Sequence, residues 1–220
     1  MRVWKAGLVA TLAVCLGIAR AEEEEKPGRW EKNMVAFEAR DAKTPPPKGE
    51  IVFIGSSSIV GWNLAKCFPD LKAVNRGFGG SQIADSVQYA DRILIPLAPR
   101  IVIFYAGDND IAAGKTPEKV FEDYKAFVAK VHDKLAEAKI IFVPIKPSIA
   151  RWKLWGKMQM ANKLIEDYTK TDKRLVYLDI VPGMLGEDGK PKPELFKKDG
   201  LHLNDEGYKV WNALLLPHLK

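Results

Sequence analysis

Cysteine is nearly missing from this chain: it has two, Cys15 and Cys67, and the first lies in an amino-terminal apolar run. A disulfide framework is thereby excluded, and stability has to come from packing an apolar interior. Histidine is also scarce. Three are present, with no His-x-x-x-His pair and no cysteine cluster, so a closed metal-ligand set is hard to assemble. Asp199, His202 and the Asp108/Asp110 pair are the most that a zinc hydrolase could draw on. No apolar run reaches the ~20 residues of a membrane-spanning helix. The net charge is +6 with its basic residues dispersed rather than clustered, which excludes the footprint of a nucleic-acid partner. Repeats of fixed period and low-complexity segments are lacking too.

What is there begins with an export pattern. Arg2 and Lys5 make a basic start, Ala6 to Ile18 an apolar run, and Ala19-Arg20-Ala21 a small-x-small cleavage site. This predicts a signal peptide over 1–21, a mature chain from Glu22, and a secreted or periplasmic protein with no stable membrane insertion after cleavage. Cleavage removes three positive charges, Arg2, Lys5 and Arg20, and lowers +6 to +3. Cys67 is then the only thiol, an apolar filler rather than a nucleophile, since no histidine lies near it in sequence. Residues 22–48 read as a charged leader and linker opening on Glu22-Glu23-Glu24-Glu25. Within it Trp30, Met34 and Phe37 share helical spacing over 30–39, and Pro45-Pro46-Pro47 forces an extended entry into the first strand. The domain itself is expected over 49–220, and with 47% hydrophobic residues it can bury one core.

Apolar runs then alternate with amphipathic ones. Ile51–Ile54, Ala73–Asn75, Ile101–Ala106, Ile140–Ile145 and Leu175–Ile180 read as strands with little polar alternation, the mark of a sheet covered on both faces. The clearest helix runs from Pro117 to Leu135, with proline at its first position and Val120, Phe121, Tyr124, Phe127, Val128, Val131 and Leu135 on one stripe. The alternation predicts an α/β fold: one three-layer α/β/α sandwich around a mostly parallel five-stranded sheet of flavodoxin-like type. In such a sheet, ligands sit outside the carboxyl ends of the strands.

Chemistry-bearing residues collect at those ends. Asp199-Gly200-Leu201-His202 separates a carboxylate from an imidazole by two residues, so the pair needs no distant assembly. Gly55-Ser56-Ser57-Ser58 follows the first strand, Gly79-Gly80 the second and Gly107-Asp108-Asn109-Asp110 the third. A serine hydroxyl is a weak nucleophile until a positioned base takes its proton. His202 can serve near neutral pH, about 6.5 being ordinary for a free imidazole, and a carboxylate on its other ring nitrogen fixes the tautomer and stabilises the imidazolium. Each block also has a structural reading: serines that cap a helix, glycines that only turn, an asparagine that bonds its own backbone, a histidine that packs.

In this order the four blocks resemble the SGNH (GDSL-type) hydrolase family, and the resemblance runs from about residue 50 onward. It implies Ser57 as nucleophile, His202 as base and Asp199 as its partner. Ser57 and Gly80 N–H and the Asn109 amide are implied as the oxyanion hole. It also implies a carboxylic ester hydrolase. With so few ligand residues, no cofactor and no metal are expected. The sequence departs from the family at one place, where Gly-Asp-Ser has become Gly55-Ser56-Ser57 and a hydroxyl, which can still accept a backbone N–H, replaces the carboxylate. Three serines then stand together, and register with the family favours Ser57.

Rival patterns fail. The nucleophile elbow Gly-x-Ser-x-Gly is absent, Ile59 standing where its last glycine belongs. Gly77-Phe78-Gly79-Gly80-Ser81-Gln82 begins like a dinucleotide fingerprint and ends in Gln82, and Gly114-Lys115-Thr116 mimics a phosphate loop whose first glycine would fall at Asn109. A nucleotide-binding α/β module is the non-enzyme alternative. Family and fold leave the substrate open among lipid, thioester, lysophospholipid and carbohydrate esters. Trp152 and Trp155 follow the fourth strand and can cover a sugar face, or anchor the next helix. No apolar insertion suggests a lipase lid. The expected substrate is a small-molecule or carbohydrate ester with a short acyl group.

Overall fold

The computed structural model describes residues 28–219 together with Met1. The expected signal peptide (Met1 apart) and the Glu22–Glu25 run lie outside the described residues. No helix among the described residues is long and apolar enough to cross a membrane.

The chain alternates helix and strand in the order α1 (Glu31–Lys43), β1 (Ile51–Gly55), α2 (Ser57–Val60), α3 (Leu64–Cys67), β2 (Ala73–Gly77), α4 (Ile83–Ile93), β3 (Ile101–Tyr105), α5 (Asp108–Ala112), α6 (Pro117–Lys134), β4 (Lys139–Phe142), α7 (Trp155–Thr169), β5 (Leu175–Tyr177), α8 (Val181–Met184) and α9 (Asp205–Leu215). The strands form one sheet in the order β2-β1-β3-β4-β5, every pair parallel.

Period-two alternation divides each strand between two cores. Val52, Ile54, Val102, Phe104, Ile140 and Phe142 face one side, packed with buried residues of α1, α4, α6 and α7. Ile51, Phe53, Ile101, Ile103, Tyr105 and Ile141 face the other, against residues of α2, α8 and α9. The result is the three-layer sandwich that the alternation predicts. Strand order reverses between β1 and β3: β2 lies to one side of β1, and β3, β4 and β5 follow on the other. That is the topological switch point, where an open parallel sheet leaves a crevice.

Strand boundaries differ from the sequence reading for identifiable reasons. β4 ends at Phe142 rather than 145, because Pro144 has no N–H to continue the ladder; Val143 makes one last bond to the Phe104 carbonyl, at 2.9 Å. β5 stops at Tyr177 with its partner, and β2 runs two residues further, to Gly77. α6 opens as expected, with Pro117 at its first position and the Thr116 hydroxyl accepting the Lys119 N–H at 3.2 Å.

The larger difference concerns the leader. α1 is thirteen residues long and belongs to the core rather than to a linker: Trp30, Met34 and Phe37 are 9%, 0% and 8% exposed. Burying side chains of this size is worth about 1.5–3 kcal/mol each. Arg92 of α4 clasps Glu31 and Glu38 of α1, and Asp41 pairs with buried Arg76. The folded unit therefore includes Trp30 and α1, ahead of residue 49.

Candidate active site

Gly55 ends β1 with φ of +137°, and a Cβ there would sit 1.9 Å from the Tyr105 carbonyl oxygen. Only glycine lets the chain leave the strand this close to β3. Ser56 N–H then donates to that same carbonyl at 3.0 Å, and the turn delivers Ser57 as the first residue of α2, at the crevice.

Ser57 Oγ lies 3.0 Å from His202 Nε2, and His202 Nδ1 lies 2.7 Å from Asp199 Oδ2. A carboxylate only accepts, so Nδ1 carries the proton, and Nε2 is left to accept the serine hydroxyl. The other carboxylate oxygen of Asp199 accepts the N–H groups of Leu201 and His202, both at 2.9 Å. The imidazole and these two amides hold the Asp199 carboxyl well below the ordinary carboxylate range. The loop that carries this pair is closed by Lys197 N–H on the His202 carbonyl at 2.7 Å and by Gly200 N–H on the Lys197 carbonyl at 2.9 Å.

The remaining sequence-predicted groups lie alongside. The Gly79-Gly80 turn passes the nucleophile, a Cβ on Gly79 falling 3.8 Å from Ser57 Cβ. Gly80 has φ of +78°, and the space its side chain would take is bounded by Arg29 Nη2 at 3.4 Å and the Trp30 ring at 3.5 Å. Asn109 enters through α5 and donates Nδ2–H to the Ser81 carbonyl at 3.0 Å. Among the described residues neither Ser57 N–H nor Gly80 N–H has a protein acceptor, so both remain available to a bound group. The three expected oxyanion donors thus sit on Ser57 itself, on the turn that passes it, and on a side chain bonded to the end of that turn.

Helix capping does not account for the serines. Ser56 is the N-cap residue of α2, yet its side chain makes no cap bond. Its buried hydroxyl has no partner among the described residues, so the backbone N–H expected to replace the family's carboxylate contact is not found. Ser58 accepts from Lys146 Nζ at 3.1 Å.

Lys146 and Arg151 were not singled out by the sequence. Lys146 is 1% exposed and also donates to Tyr105 Oη at 2.9 Å and to Asp108 Oδ2 at 3.4 Å. Burial lowers its pKa, which the Asp108 carboxylate opposes; burial likewise raises that of Tyr105. Arg151 reaches Asp108 Oδ2 at 3.1 Å and Asn109 Oδ1 at 3.0 Å. The readable signal was a charged residue inside the apolar run Val143-Pro144-Ile145-Lys146. Asp110 is engaged by Lys115 Nζ at 2.9 Å and by Ile83 N–H. No cluster of three or more metal-type ligands occurs among the described residues.

The two tryptophans separate. Trp155 is 7% exposed and packs in the core, and its edge lines a separate cavity with Gln159, Asn162 and Tyr177. Trp152 stacks on it at 15° with centroids 6.0 Å apart and lines a groove of about 620 Å³ with Ile149, Asp188, Lys190, Lys192 and Glu194. That groove borders the base loop: Ala150 N–H donates to the Gly200 carbonyl at 3.0 Å.

Comparison with known proteins supplies the family. The model of the GDSL-like Lipase/Acylhydrolase family matches residues 54–210. The chain belongs to this family. Among curated proteins none matches this sequence. Among solved structures the fold is similar to a protein of Streptococcus pneumonia named for platelet activating factor, at TM-score 0.78 and 21% identity over 86% of this chain and 92% of that one. It is also similar to a GDSL-like lipase from Bacteroides thetaiotaomicron, at 0.72 and 23% over 85% and 97%. An acetyl-xylooligosaccharide esterase from Geobacillus Stearmophilus gives 0.62 and 15% over 79% and 95%. At these identities the likeness is one of fold. Family membership makes the protein an acylhydrolase by class and removes the ground for the nucleotide-binding alternative.

Proposed function

We propose that this GDSL-family protein is a serine esterase that removes short acyl groups, acetyl foremost, from carbohydrate alcohols. The observation that carries the mechanism is the continuous chain Ser57 Oγ, His202 Nε2, His202 Nδ1, Asp199 Oδ2, with links of 3.0 and 2.7 Å. His202 takes the hydroxyl proton as Ser57 Oγ attacks the ester carbonyl, and Asp199 stabilises the imidazolium. Negative charge gathers on the carbonyl oxygen, where Ser57 N–H, Gly80 N–H and Asn109 Nδ2–H meet it; one such donor is worth about 3–4 kcal/mol. The imidazolium then returns its proton to the leaving alcohol. A water activated by the same base releases the acid and restores the serine.

Trp152 offers an aromatic face in a groove that it shares with Ile149, Pro191 and Pro193 and that Asp188, Lys190, Lys192 and Glu194 edge with charge, apolar surface beside polar groups on which a sugar ring can rest. Export, proposed from residues 1–21, would bring the enzyme to soluble polysaccharide or its fragments. The test is a series of nitrophenyl esters from acetate to dodecanoate, followed by acetylated xylan. A maximum at acetate with acetate released from xylan is expected. A maximum at octanoate or longer without that release would redirect the substrate to lysophospholipid or thioester and leave Ser57, His202 and Asp199 in place.

A further inference from the structure

We infer that Arg151 is a positioning residue for the oxyanion site: it fixes the Asn109 side-chain amide in the orientation that presents an N–H to substrate. The inference rests on the ester-hydrolase reading and adds to it a residue that touches neither Ser57 nor His202. Asn109 is held at both ends, its Oδ1 accepting from Arg151 Nη2 at 3.0 Å and its Nδ2 donating to the Ser81 carbonyl at 3.0 Å. Rotating the amide by half a turn would put its NH₂ against the guanidinium and its oxygen against a carbonyl oxygen, two repulsive contacts in place of two bonds. One Nδ2 hydrogen is consumed by Ser81, and the orientation directs the second.

Arg151 is itself fixed. Its Nη1 lies 3.1 Å from Asp108 Oδ2. Asp108 is 2% exposed and accepts the Asn109 backbone N–H through Oδ1 at 3.0 Å. The Nη1 contact is close enough for an ion pair, but it lacks the direction of a hydrogen bond, so it contributes charge attraction more than geometry. Lys146 shares the same carboxylate oxygen at 3.4 Å. A guanidinium on Oδ1 also polarises the amide and strengthens its N–H donors. Lysine at 151 would keep the charge and lose the fork that reaches Asp108 and Asn109 together.

The experiment is a double-mutant cycle between Arg151→Met and Asn109→Ala, read as kcat and KM on nitrophenyl acetate, with Ser57→Ala as the blank. Losing one oxyanion donor costs ~100-fold or more in kcat, so losing its orientation is expected to cost roughly 10-fold with KM within about twofold. In the Asn109→Ala background the same change should cost less than about twofold, because nothing remains to orient. Added guanidinium should restore part of the kcat of Arg151→Ala. If Arg151→Met fails to fold, Arg151→Lys takes its place in the cycle. An equal loss in both backgrounds, a change confined to KM, or an unchanged kcat overturns the inference while leaving the esterase intact. Hydrolysis no faster than the Ser57→Ala blank overturns both.

Discussion

Tyr208 donates its hydroxyl to the Ser58 carbonyl at 2.8 Å, across 150 residues of sequence. It joins α9, which follows the base loop, to α2, which carries the nucleophile. Trp62 and Trp211 pack around the Tyr208 ring at 5.6 and 6.0 Å, so an aromatic cluster backs the junction between the segments that carry Ser57 and His202. Tyr208→Phe should leave a buried carbonyl unpaired and lower stability by about 1–3 kcal/mol. A denaturant midpoint that does not move would show that the bond contributes nothing.

The three serines should separate by function. Ser57→Ala is expected to lower kcat by on the order of 10⁴–10⁶, as in enzymes whose nucleophile and base act as a unit. Ser56→Ala removes a buried hydroxyl without a partner among the described residues and should be neutral or stabilising. Ser58→Ala takes one acceptor from buried Lys146 and should cost about 1 kcal/mol of stability while retaining most of the activity. Steady-state rates with thermal unfolding of the three variants check the order; near-normal turnover by Ser57→Ala would sink the mechanism.

Protonation should follow one group on the acid side. Hydrogen bonds from His202 and Leu201 hold the Asp199 carboxyl below its ordinary value of 3.8. The sign is that of a depressed acid: its stabilising contribution is fully present above the unfolded value and disappears as pH falls through the lower folded one. Asp199 thus stays ionised through the range where an imidazole titrates. The acid limb of log kcat/KM should have unit slope down to about pH 4; a slope of two would mean that the carboxylate titrates with the base.

Much of this molecule was legible beforehand because its signals are local. Continuous apolar runs such as Ile51–Ile54 marked the strands, and Asp199 and His202 are close enough in sequence to be read as a pair. What escaped depends on tertiary placement. Lys146 was marked only by the apolar run it interrupts and Arg151 by nothing local, since their partners Ser58, Asp108 and Asn109 arrive from other loops. Trp152 and Trp155 looked alike, yet Trp152 lines the groove beside the base loop while Trp155 is largely buried. The glutamate run and the prolines made residues 22–48 read as a linker, although Trp30, Met34 and Phe37 held the spacing of a core helix.

That helix provides a test of where the folded unit begins. Met34→Ala removes a fully buried side chain and should cost about 2–5 kcal/mol. Trp30→Ala should cost a comparable amount and also reduce kcat, because the Trp30 ring bounds the Gly80 turn. Deleting residues 28–43 should then yield protein with a lower midpoint and little esterase activity. A truncated chain as stable and active as the whole would return α1 to the status of a linker.

Trp152 offers the sharpest test of substrate class, because it faces the groove while Trp155 supports it from below. If the leaving alcohol is a sugar resting on the Trp152 ring, Trp152→Ala should raise KM for acetylated xylo-oligosaccharides by roughly 10-fold, the loss of about 1–1.5 kcal/mol of aromatic contact. Nitrophenyl acetate, whose leaving group is small and planar, should change by less than about threefold, and kcat should hold for both because Trp152 bonds none of the reacting groups. Trp155→Ala is the contrasting variant: it opens the core and should lower stability by about 3–5 kcal/mol. Equal effects of Trp152→Ala on the two substrates would mean that the groove does not hold the alcohol, and the carbohydrate assignment would fall without touching Ser57, His202 or Asp199.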